Sequence, residues 1–260
     1  MLEGDRRVLC HLQDASRCVR QTQILRMSEA AGTFTPMRLA EAPPNPWFSW
    51  EYVERNAADI GRALEQHASL TFQAVVIAFV LALPLGALAH LRPRLAGPVL
   101  GVAGVLYTVP SLALFAILAP YTGIGRVTVL IGLVSYALLV LTRNVLVGLQ
   151  GVDPAVKDAA RGMGYGRTRL LVAVELPQAL PSIVAGLRLA TVTTVALVTV
   201  GVVVGYGGLG QLMFRGFRSN YHAEIMTATV LCLLLALVCD LVLAGIGRRL
   251  TPWARVERPV

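Results

Sequence analysis

The sequence predicts an all-α membrane protein with about five transmembrane helices, and three observations predict it. Of its 260 residues 55% are hydrophobic and only 15% charged, with a mean hydropathy of +0.64, whereas a soluble domain is about 25% charged. The apolar residues come in long runs, neither alternating nor amphipathic. At about 1.5 Å per residue, a run of roughly 20 crosses a hydrocarbon layer of about 30 Å. The basic residues, finally, gather in every second loop.

The N-terminal region, 1–45, is polar. It carries Cys10 and Cys18 but no apolar core of a secretory signal. Met37 opens a stretch that reads like a natural start. Residues 1–36 are therefore expected to be a disordered tail or an upstream extension that is not translated. A tail so rich in arginine would resist export. Pro43, Pro44 and Pro46 make 42–46 a non-helical lead. Within a segment spanning 46–66, residues 49–66 have an amphipathic pattern, with Trp50, Tyr52, Val53, Ile60 and Leu64 expected at the outer interface. A membrane domain is expected over 67–248 and a short tail over 249–260.

Five spans fill the membrane domain: about 70–91, 97–119, 127–148, 182–205 and 222–247. Pro84 and Pro110 fall inside the first two and are expected to kink them; neighbouring helices can satisfy the freed carbonyls. Arg92 and Arg94 follow the first span, Lys157, Arg161, Arg167 and Arg169 the third, and Arg248, Arg249, Arg255 and Arg258 the fifth. The opposite loops hold only Arg126, Arg215 and Arg218. The positive-inside rule then places the N-terminus outside and the C-terminus in the cytoplasm. This border role accounts for the net charge of +8. No basic helix with interleaved aromatics marks a nucleic-acid partner, whereas lipid is an obligatory one.

The long cytoplasmic loop after the third span carries the chemistry. Asp153 and Pro154 suit a helix start, so a short helix is expected over about 154–163. Gly162, Gly164 and Gly166 break it, and a second short helix over about 167–175 leads to Leu176 and Pro177. The result is a helix-turn-helix lying across the membrane face.

Three charges fall within the spans: Arg143, Arg188 and Asp240. Charges in lipid usually pair or line water. Asp240 is expected either to pair with Arg188 or Arg143 as part of an inner gate, or to pair with nearby Arg248 while the arginines snorkel. Thr191, Thr193, Thr194 and Thr199 put hydroxyls along the fourth span, where they either line a path or bond their own helix. Cys232 and Cys239 are small packing residues, and no Cys or His spacing suggests a metal or a disulfide. The glycines of 201–210 lack the lysine of a phosphate-binding loop and suit a tight turn on the outer face. No nucleophile with a base, no metal site and no nucleotide loop is present, so neither an enzyme nor a cofactor is expected.

Asp158, Ala159, Ala160 and Gly164, followed after nine residues by Val174, Leu176 and Pro177, resemble the cytoplasmic signature loop of ABC importer permeases, E-A-A-x-x-x-G-x9-I-x-L-P. The departures are Asp for Glu and Val for Ile. The resemblance implies the type I importer permease fold and a separate ABC ATPase, whose cleft would receive this loop. Asp158, Arg161 and Arg169 would then be polar contacts, and Ala159, Ala160 and Gly164 would supply the fit. ATP hydrolysis would reside in that partner.

Tyr107-Thr108-Val109-Pro110-Ser111-Leu112-Ala113-Leu114 and Gly205-Tyr206-Gly207-Gly208-Leu209-Gly210 are similar to segments of the glycine betaine, carnitine and choline uptake family. This similarity implies an importer of quaternary-ammonium osmoprotectants (proline betaine included), served by an extracytoplasmic binding protein and a second permease subunit. Tyr107, Pro110, Ser111 and Thr194 are the candidate pathway residues. A cation could rest on aromatic faces, of which the spans offer Phe72, Phe79, Tyr107, Phe115 and Tyr136. An amino-acid permease, for methionine for example, is the alternative. An ion-coupled carrier or a membrane scaffold would leave the signature loop unexplained.

Overall fold

The computed structural model describes residues 45–255, and the N-terminal extension and the last five residues lie outside the described part. The described residues are helical throughout, without a strand. A short α1 (Trp50–Arg55) is capped by Ser49, whose hydroxyl accepts from the Tyr52 amide. After Asn56, α2 runs unbroken from Ala57–Leu91, straight through Pro84. The amphipathic segment and the first span are thus one rod for most of their length. At 35 residues and about 1.5 Å each it is about 52 Å long, so its first turns project beyond the apolar layer.

The second span is α3 (Pro93–Thr108) and α4 (Ser111–Thr122), bent by 98° at Val109–Pro110. This exceeds a simple proline kink. Pro110 has no N–H for the Leu106 carbonyl, and the Tyr136 hydroxyl donates to the Val109 carbonyl across the break. Next come α5 (Arg126–Gln150), the loop helices α6 (Pro154–Gly162) and α7 (Arg167–Leu170), and a π-helical turn, Leu171–Glu175. That turn feeds α8 (Leu176–Val198), which tightens into a 3-10 turn, Thr199–Val204. Helix α9 (Leu209–Ser219) lies on the outer side, and α10 (His222–Leu250) returns across the membrane.

Helices α2 and α5 pack side by side in the same direction. Leu70 and Ala74 meet Val129 and Leu133 at one end, and a Cβ on Gly86 would stand 2.5 Å from Val145 at the other. Two parallel neighbours need a crossing between them, so the bent pair α3–α4 is a broken span and the described residues make five crossings. Small residues at 74, 78, 82 and 86 give α2 the flat face that α5 approaches. Helix α8 runs antiparallel to α5, with Gly186 against Asn144 and Gly148 against Ala179 and Ser182. Four apolar clusters stack along the bundle, from Tyr52, Ile60 and Leu212 on the outer side to Leu149, Leu171 and Ile183 on the inner.

His67 ties the outer layer together. Fully buried, it donates from Nε2 to the Val195 carbonyl at 2.9 Å and accepts at Nδ1 from the Leu209 amide at 3.3 Å. One tautomer, with hydrogen on Nε2, satisfies both contacts. The glycine turn sits directly on this ring: Gly208 has φ +54, and a Cβ there would lie 2.7 Å from the Cβ of His67. His67→Leu leaves the Leu209 amide unpaired, and an unsatisfied buried donor costs about 1–3 kcal/mol. Thermal unfolding in detergent is expected to shift down correspondingly, and an unchanged midpoint would refute this role.

Candidate functional site: the cytoplasmic loop, the central ion pair and the broken span

The loop folds as the sequence predicts, as two helices across the inner face. Asp153 caps α6 by accepting from the Ala155 amide at 2.8 Å, and Pro154 takes the first position. Asp158 and Arg161 pair with each other at 2.7 Å while both remain well exposed. Such a surface pair adds little stability, so both groups remain available to a partner. Arg169 stacks its guanidinium 4.3 Å from the Tyr165 ring centre. Gly164 turns the chain with φ +82, exposed, with no atom within 4 Å of where a Cβ would stand.

The two alanines of the motif differ. Ala159 faces outward, but Ala160 is only 2% exposed and packs into the protein's own interior. Ala160 is therefore corrected from an expected docking contact to an internal packing residue of the loop. Leu176 and Pro177 begin α8 and are half-buried. The second short helix stops at Leu170 and continues as the π turn, which buries Leu171 and Glu175.

Glu175 was an unassigned position of the motif, and the structure gives it a place. Its carboxylate is 5% exposed, 3.0 Å from His90 Nε2 and 3.8 Å from Lys157 Nζ. The Lys157 ammonium also donates to the Leu149 carbonyl at 3.2 Å. Sequence spacing could not pair Glu175 with a histidine 85 residues earlier.

The intramembrane charges are distributed unequally. Arg188 grips Asp240 through two parallel hydrogen bonds, Nε to Oδ1 at 2.8 Å and Nη2 to Oδ2 at 2.7 Å. This fork geometry is the strong form of the pair. Arg143 lies at similar depth, beside the residue that contacts Gly186, but is exposed and forms no ion pair among the described residues. Of the two arginines expected as partners of Asp240, the one that pairs is thus Arg188 and not Arg143. On the outer face Arg215 Nε donates to the buried Glu224 at 2.6 Å. Burial, and then that carboxylate, push the neighbouring Tyr52 phenol up to about 12.

The break in the second span opens a cavity of about 430 Å³ lined by Tyr107, Thr108, Pro110, Ser111, Tyr136 and Thr193. Tyr136 is ten residues into α5, so the cavity lies about 15 Å below the outer end of that helix, near mid-membrane. Tyr107 and Tyr136 meet edge to face at 5.8 Å, and Tyr107 remains 45% exposed. Thr194 is not in this lining. It is 1% exposed and donates its hydroxyl to the Ala190 carbonyl at 2.6 Å, so the expected pathway role is corrected to a helix-internal one. Thr191, Thr193 and Thr199 also bond carbonyls of their own helix.

Among the described residues no group of three or more His, Cys, Asp and Glu is placed to hold a metal.

Known proteins share this architecture. The family described as binding-protein-dependent transport system inner membrane component matches residues 70–256. The carnitine transport permease protein OpuCB of Listeria monocytogenes is 38% identical over 73% of this chain and 87% of its own length. The osmoprotectant import permease protein OsmW of Salmonella typhimurium is 34% identical over 77% and 96%. The inward-facing MetNI methionine ABC transporter superposes with a TM-score of 0.71 at 26% identity, covering 76% of this chain and 99% of that one. Five crossings, a signature loop on the arginine-rich face and a match over most of its length make this chain a multi-pass permease subunit, a member of the inner-membrane components of binding-protein-dependent ABC transport systems.

Proposed function

We propose that the chain is the permease of an ATP-driven importer for quaternary-ammonium osmoprotectants: glycine betaine, choline, carnitine or proline betaine. The observation that carries the substrate class is its 31–38% identity to permeases named for carnitine, choline and glycine betaine transport. The importer class implies an ATPase, a substrate-binding protein and a second permease. On this reading α6 docks in the ATPase through Asp158, Ala159, Arg161 and the Gly164 turn. The Arg188–Asp240 fork, in the inner half of the bundle, belongs to the inner gate.

The broken span suits passage of such a substrate. A methylated ammonium has no N–H to donate, so it is held by aromatic faces and carbonyl dipoles rather than by hydrogen bonds. Tyr107 offers an open ring, and Pro110 leaves the Leu106 carbonyl without its helical donor. The N-terminal end of α4, with Ser111, favours a carboxylate. Tyr107→Ala is expected to lower the maximal uptake rate about tenfold, the loss of one cation–π contact of 0.5–2 kcal/mol, whereas Tyr107→Phe keeps most of it. Equal rates in both variants would remove Tyr107 from the path.

The decisive experiment is ATP-dependent uptake of labelled glycine betaine, choline, carnitine and proline betaine into vesicles holding the assembled complex. Methionine belongs in the same assay, because a methionine transporter has the same fold. Uptake of a quaternary ammonium supports the proposal. Uptake of methionine alone replaces it with the amino-acid reading.

A further inference from the structure

The Glu175 cluster lies outside the signature residues, and it adds a polar tie between three parts of the protein whose other contact is apolar, with Phe79, Leu83 and Ala87 beside Leu171 and Ile183. His90 is in the last turn of α2, the first crossing. Lys157 is on α6, the loop helix. Glu175 ends the π turn that leads into α8, the fourth crossing. Each of the three side chains is at most 15% exposed. Against a carboxylate, His90 Nε2 carries the hydrogen, and the Lys157 ammonium divides its donors between Glu175 and the Leu149 carbonyl at the end of α5.

A buried ion cluster is weak support for stability, because desolvation offsets most of the attraction, and apolar residues of similar volume would serve as well. What such a cluster supplies is a fixed relative position that fails sharply when a member is removed. The π turn reinforces this, since it rotates Glu175 into the interior instead of continuing α7 as a regular helix.

We infer that Glu175, His90 and Lys157 form a transmission latch between the docking helix and the first crossing. When a partner displaces α6, Lys157 and Glu175 move with it, and His90 carries the displacement into the inner end of α2. The open face of α6 receives the partner; its buried face passes the motion on. Glu175 is a positioning residue in this scheme, and the inference rests on the importer reading above.

The test uses the complete complex, permease with its ATPase and binding protein, in vesicles. Glu175→Gln keeps the shape and removes the charge. Lys157→Met removes the second partner and leaves the Glu175–His90 contact to hold the turn. Three quantities are read for each: amount of assembled complex, ATP hydrolysis with and without substrate-loaded binding protein, and substrate taken up per ATP. The expected result is normal assembly, basal hydrolysis within about twofold of wild type, loss of the stimulation by binding protein, and at least a tenfold fall in uptake per ATP. His90→Gln, which keeps a donor, is expected to retain most of the coupling.

Wild-type stimulation and uptake per ATP in both Glu175→Gln and Lys157→Met would overturn the latch. So would failure of both to assemble, which would make the cluster a folding element. If the wild-type complex itself moves no quaternary ammonium, the substrate reading fails, while the stimulation of hydrolysis still reports on the latch.

Discussion

Gly164→Glu is expected to abolish uptake, by at least 100-fold, while the permease still inserts and folds. The position is exposed, and no atom lies within 4 Å of a Cβ placed there, so the side chain meets nothing in this chain. The internal cost is the left-handed backbone at φ +82, about 1–2 kcal/mol for a residue other than glycine. That is too little to unfold a five-crossing bundle. The large effect is expected from the docking proposed above, through bulk and through a second acid near Asp158. Gly162→Ala is the matched control, since it also meets nothing within 4 Å and its backbone is ordinary helix. Comparison of uptake with the amount of folded permease decides the matter. Wild-type uptake in Gly164→Glu would mean that this turn contacts no moving partner.

Charge reversal at Asp240 gives the second large effect. In Asp240→Lys two cations face each other in the inner half of the bundle, and the fork that held Arg188 is gone. Uptake is expected to fall at least tenfold. Adding Arg188→Glu restores opposite charges at the same place and is expected to recover uptake to within a few-fold of wild type. Adding Arg143→Glu instead should recover nothing, because the residue that bonds Asp240 is Arg188 and not Arg143. Equal failure of both double variants would reduce the pair to a packing feature without a role in gating.

Much of this architecture is written locally and was therefore legible. A run of twenty apolar residues states its own crossing, and Asp153-Pro154 and Gly164 state where a short helix begins and turns. The positions of the five spans and of the loop helices follow from such features. Pro110 signalled a kink, but a bend of 98° also needs Tyr136 to take up the Val109 carbonyl from another helix. The start of the first helix at Ala57 was obscured because residues 57–69 are polar on one side, and tertiary packing around Ile60 and Ala63 overrides that signal. Asp240 could be read as paired, yet choosing between two arginines required side-chain direction, which spacing does not encode. The threonines illustrate the same limit: all four hydroxyls bond within their own helix, and Thr193, not Thr194, lines the cavity at the break, a difference that spacing does not encode. The His67–Val195 and His90–Glu175 contacts are the least legible, because each joins residues separated by 85 or more positions.

The parallel pairing of α2 and α5 has a consequence for how the protein is made. It is the most extensive helix contact among the described residues, yet its two sides are separated in the chain by an entire return crossing. A nascent chain that ends near Thr122 lacks Ala137, Leu141 and Val145, the third-crossing residues that cover Ala78, Ala82 and Gly86. The return crossing covers only part of this face: Phe115 joins the cluster of Leu70 and Ala74, whereas Ala78 and Ala82 cluster with Ala137, Leu141 and Ala190 of the later crossings. Biogenesis is therefore a matter of waiting: the first crossing is held, only partly covered, until the third has been threaded beside it. Long-range closure of this kind is slow.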